Sequence, residues 1–139
     1  MDANKVGSLL PQQFGGILLG KLVAANMNST ADQQIVMFSN PSKFILRRIV
    51  ATNASVSLTT AVGGIYTAVS KGGVAVVAAS QAYSSLSAST LFLDLTLNAT
   101  GSASTTVKSS IPNLYLSLTT AQGAAATANF YVYGDILEA

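Results

Sequence analysis

The sequence predicts an all-β chain: a β-sandwich or jelly roll of about eight to nine short antiparallel strands, with an N-terminal arm. Three observations predict it. Apolar and polar residues alternate with a period of two in several runs, which puts one face on a core and the other toward solvent or a partner. Turn chemistry separates those runs at spacings of roughly 8 to 15 residues. The composition also suits close-packed sheets. The 139 residues include 21 Ala and 30 Ser or Thr, and only 9% are charged, against the usual ~25%. A surface helix would carry far more Lys, Glu and Arg on its exposed face. Intrinsic disorder would need high charge and low hydrophobicity, whereas half of this chain is apolar.

The elements follow in chain order. Residues 1–15 have no clean pattern and are expected to form an arm, ahead of one domain over 16–139 with no composition break. Ile17–Ala24 is a candidate strand, too short for a membrane span and cut by Gly20 and Lys21. Gln34–Phe38 follows, then Asn40-Pro41-Ser42 as a turn. Phe44–Val50 is apolar on both faces except at Arg47 and Arg48, the pattern of a more buried strand. Val56 and Leu58 alternate with Ser55, Ser57 and Thr59. Gly64–Val69 and Val74–Val77 flank the turn Lys71-Gly72-Gly73. Ser80–Ser87 is the one stretch with the character of a helical turn. Leu91, Leu93, Leu95 and Leu97 occupy one face of a run, with Phe92, Asp94 and Thr96 opposite. Leu114, Leu116 and Leu118 repeat the pattern after Ile111-Pro112-Asn113, and Phe130 and Val132 alternate with Tyr131 and Tyr133.

The absent residues exclude most catalytic chemistry. There is no Cys and no His, so there is no disulfide, thiolate nucleophile, zinc–thiolate site, imidazole base or histidine metal ligand. Gly15-x-x-x-x-Gly20-Lys21 nearly matches a phosphate-binding loop, but Leu22 stands where a magnesium-binding Ser or Thr is needed. The five acids, Asp2, Asp32, Asp94, Asp135 and Glu138, form no Asp-x-Asp calcium loop. No Ser-x-x-Lys occurs. The chain is therefore expected not to be an enzyme and to hold no cofactor. Seven cations against five acids make no basic stripe, so nucleic acid is not an expected partner. The opening Met-Asp-Ala-Asn-Lys carries an acid where a secretory leader carries cations. Neither a membrane nor general export is expected, and without export the Asn-x-Ser/Thr triplets at Asn28, Asn53 and Asn98 carry no weight.

A handful of residues remain as candidate contacts. Adjacent strand residues point to opposite faces, so at least one of Arg47 and Arg48 should turn inward or into an interface. Either a salt bridge within the chain, to Asp94 or Asp135, or an ion pair with a neighbouring subunit would satisfy them. Tyr131 and Tyr133 share a face, with Tyr115 as a possible third member. They suit sheet-edge or subunit packing, or a sugar-binding face. Ser-Leu-Thr-Thr-Ala occurs at 57–61 and again at 117–121, which suggests two matched hairpins in equivalent places of two sheets. Lys5 would let the arm order on a partner.

The succession Arg-Arg-Ile-Val-Ala-Thr-Asn-Ala-Ser (47–55), Leu-Thr-Thr-Ala-Val-Gly-Gly-Ile-Tyr-Thr-Ala (58–68), Ser-Lys-Gly-Gly (70–73), the stretch 114–128 and Tyr-Val-Tyr-Gly-Asp (131–135) resembles small tailed-phage and prophage virion structural proteins, over residues 17 to 137. The resemblance implies a β-sandwich that assembles on a virion, for example as a capsid decoration (cement) protein, and supplies no catalytic residues. It makes the expected partners the chain itself, as a homotrimer, and the major capsid protein or another virion protein. The expected location is the virion, assembled in the bacterial host cytoplasm. A neck or tail position in the same virion, and a glycan-binding adhesin module, are the alternatives. Lys5, Arg47, Arg48, Tyr115, Tyr131 and Tyr133 are the expected subunit or capsid contacts.

Overall fold

The computed structural model describes residues 17–38, 43–98, 107–109 and 113–138. Nine strands run in the order β1 (Ile17–Asn26), β2 (Gln33–Met37), β3 (Lys43–Thr52), β4 (Val62–Ala68), β5 (Gly72–Val77), β6 (Phe92–Asp94), β7 (Val107–Ser109), β8 (Asn113–Thr120) and β9 (Thr127–Glu138). Every pairing is antiparallel, and no helix occurs among the described residues. The all-β class expected from the alternation holds.

The strands join into one sheet, not two, in the order β5-β4-β8-β2-β1-β9-β3-β6, with β7 also on β3. The sheet curls until its ends approach. Leu95 N donates to Ile49 O of β3 at 2.9 Å, and Asn98 N donates to Val76 O of β5 at 2.8 Å. Val77 and Leu97 form an antiparallel bridge. Residues 95–98 thus link the two sheet ends, and the roll encloses one core. Closing a sheet in this way covers most of its edge.

Alternation decides what enters that core. Leu114, Leu116 and Leu118 of β8 are wholly buried, as are Phe44 and Ile49 of β3, Phe130 and Val132 of β9 and Ile65 of β4. Each such side chain stabilises the fold by about 1.5–3 kcal/mol relative to exposure. Tyr83, from the loop before β6, fills the centre. Its ring meets Phe130 edge-on, with centroids 5.8 Å apart. Its hydroxyl donates to Gly63 O at 3.1 Å, so the buried polar atom is satisfied. Burial pushes the Tyr83 phenol pKa up.

Four local expectations are corrected. Residues 55–59 form no strand; the alternation there serves a loop that buries Leu58 while Val56 stays exposed. Ser80–Ser87 makes no helical segment. Backbone bonds from Gln81 N to Ala78 O and from Leu86 N to Tyr83 O close separate turns. The Leu91–Leu97 run is a strand only at Phe92–Asp94, because Leu91 points outward at 67% exposure. The two Ser-Leu-Thr-Thr-Ala copies are not equivalent hairpins in two sheets. Residues 117–120 belong to β8, whereas 57–61 are loop, and the copies adjoin where Val62 pairs with Thr120.

Candidate assembly surface

The outer face of the sheet carries the candidate residues. Arg47 and Arg48 both point outward, with side chains 54% and 45% exposed. The expectation that one must turn inward fails because β3 has a bulge there. Leu46 pairs with Gly134 and Arg48 with Tyr133, so Arg47 is an extra residue without an opposite number. A bulge lets two successive side chains share a face. Gly134 makes room for it, since a Cβ there would overlap the Ile45 carbonyl oxygen.

Both arginines find acids of their own chain. Arg47 Nε meets Asp135 Oδ2 at 2.7 Å. Arg48 grips Asp94 with two nitrogens, Nε to Oδ1 at 2.5 Å and Nη2 to Oδ2 at 3.2 Å. The hydrogen bond to Asp94 raises the Arg48 guanidinium pKa further above its ordinary value. The salt-bridge reading of the pair holds for both.

The three tyrosines lie half-buried on strands of the same sheet. Tyr131 pairs with Lys21 of β1 and Val50 of β3, and Tyr133 with Leu18 and Arg48. Tyr115 stands apart, on β8, with β2 and β1 between it and β9; its partners are Gln34 and Tyr66. The structure therefore joins Tyr131 with Tyr133 and separates both from Tyr115. Lys5 and the arm lie outside the described residues.

Among the exposed large apolar side chains, which also include Val56, Val69 and Val74, two groups were not expected from the pattern. One spans β1 and β2, where Val23, Val36 and Phe38 are 54%, 53% and 53% exposed and Leu18 adds 36%. Lys21, paired with Val36, sits in this patch with its ammonium 5.9 Å from the centre of the Phe38 ring, a cation–π distance. The other patch is Leu91 and Phe92 beside β6. Between them lie β9 and β3 with their tyrosines and ion pairs.

A polar cluster sits on the outer side of β8. Ser117 is wholly buried there. Lys71 Nζ donates to its hydroxyl at 2.9 Å, and Ser70 N donates to Asp32 Oδ2 at 2.6 Å. The bond from Ser70 N, followed by that of the Ser117 hydroxyl and the charge of Lys71, holds the Asp32 carboxyl below its ordinary value. These bonds fix the β4–β5 turn, in which Ser70 and Lys71 both take left-handed φ, 57° and 56°. No local pattern announces this meeting, because Asp32, Ser70–Lys71 and Ser117 are far apart in the chain.

A hollow of about 390 Å³ between Ala78–Ala82 and Thr96–Asn98 is lined without a charged group. The Gln81 amide there is committed to Thr96 N and Ala82 O. No group of three metal-ligating side chains occurs among the described residues. Family models, curated proteins and solved structures offer no match to this chain.

Proposed function

We propose that this protein is a structural subunit of a phage or prophage virion, a decoration protein that forms a homotrimer and clamps the assembled head. The observation that carries the reading is the pair of separated apolar patches on the outside of a charge-poor roll. Monomeric proteins rarely expose contiguous apolar area without a use for it. Two patches on different strands suit a subunit that meets both its own copies and a second protein. The resemblance to small virion structural proteins points the same way. The mechanism is mechanical: each contact buries area only when the head is intact, so binding stabilises the assembled state by mass action.

Light scattering behind a sizing column, followed by co-sedimentation with heads, tests the proposal. A mass of three chains and co-sedimentation support it. A ring of six or twelve chains would move the protein to the neck or tail. A monomer that neither assembles nor binds heads, but binds glycans, would replace it with the adhesin reading carried by Tyr131 and Tyr133.

A further inference from the structure

We infer that the β1–β2 patch docks a different protein of the virion, one that presents a carboxylate ringed by apolar side chains, and that it is not the face on which copies of this chain meet. The inference rests on the virion reading above and assigns one of its two patches.

Charge supplies the assignment. Among the described cationic side chains, Arg47 and Arg48 are bonded to Asp135 and Asp94, and Lys71 lies beside Asp32. Lys21 is the exception. Its described partner is the face of Phe38, and its strand neighbours are Val36 and Tyr131. A chain that is 9% charged thus neutralises its other described cations locally and keeps one amid exposed apolar residues. Covering this face with another apolar surface would strip water from the ammonium and leave it unpaired, which is costly. A facing carboxylate removes that cost.

Among the described residues, a second copy has no uncommitted carboxylate to offer. Asp32, Asp94 and Asp135, the described carboxylates, are each engaged within their own chain. Copies meeting symmetrically on this face would also bring Lys21 toward Lys21. Leu91 and Phe92 form an exposed pair to which no free charge is attached, and such a surface can meet a copy without that penalty.

Heads purified from a strain lacking the gene for this chain serve as the test. Binding of wild type, Lys21→Glu, Lys21→Arg and Val36→Glu is compared at equal protein, with solution mass measured alongside. These positions are exposed, and thermal melts check that each variant folds. The expected result is that Lys21→Glu and Val36→Glu weaken head binding at least tenfold, Lys21→Arg keeps it, and all four retain the wild-type mass. Carbodiimide coupling on the head should then join the Lys21 amine to a carboxylate of a head protein. Unchanged binding by Lys21→Glu overturns the inference. So does a loss of solution mass in Lys21→Glu or Val36→Glu, which would make the face a contact between copies. Failure of the wild type itself to bind heads would remove the head-decoration reading, and the inference with it.

Discussion

Residues 57–61 and 117–121 are the same five amino acids, and the fold uses them differently. The second copy is mostly strand, in β8 between β2 and β4. The first is a loop in which Leu58 N donates to Leu86 O. Both leucines are wholly buried. The serines diverge, with Ser117 buried against Lys71 and Ser57 exposed. One position past the repeat, the first copy has Val62 and the second Gln122. That glutamine ties the copies together: its Oε1 accepts from Thr60 N and Ala61 N, and its Nε2 donates to Ser57 O and Thr59 Oγ1. The comparison teaches that the burial of the leucine survives a change of backbone conformation while that of the serine does not.

Substitution can break or sharpen that contrast. The largest effects should be shared: Leu58→Ala and Leu118→Ala should each cost about 2–5 kcal/mol in urea unfolding, and a negligible cost for Leu58 would show the loop to be a passive connector. Gln122→Ala should come next, at about 1–2 kcal/mol, because it strands two backbone amides, with faster amide exchange at Thr60 and Ala61. Ser117→Ala should cost about 1 kcal/mol while Ser57→Ala stays within about 0.5 kcal/mol of wild type. Equal effects would erase the distinction between the copies. The smallest effect is the pH dependence of the Asp32 contact beside Ser117. The Asp32 carboxyl lies below its ordinary 3.8 in the folded chain, so its contribution is complete above that value and is lost as pH falls through the lowered one. The stability gap between wild type and Asp32→Ala should therefore be level near neutrality and close in acid.

Sequence pattern made much of the fold legible, and the exceptions have physical causes. β8 and β9 alternate because each turns one apolar face to the core along most of its length, whereas β3 is apolar on both faces around its bulge and buries Ile49, Val50 and Ala51 in succession. The loop at 55–59 imitates a strand in sequence only: of its five side chains Leu58 alone is buried, and Val56 stays exposed. β7 has three residues, too few for any periodicity. The curl into one sheet depends on two hydrogen bonds and a bridge made by residues 95–98, contacts that no local pattern announces. At the surface, the partners of Arg47 and Arg48 were foreseeable because the chain has so few acids. Their shared face was not, since a bulge inserts one residue without altering the alternation around it; Gly134 opposite it was the available hint.

The self-paired arginines bear on how fast this protein finds its place. Attraction that steers two proteins together over a distance needs uncancelled charge. Here Asp135 and Asp94 cancel Arg47 and Arg48 within a few ångströms, and the whole chain carries only +2. Encounters are then left to diffusion and orientation, at the unsteered rates of about 10⁵–10⁶ M⁻¹s⁻¹. Association of this chain with any partner should therefore depend more on its concentration than on electrolyte.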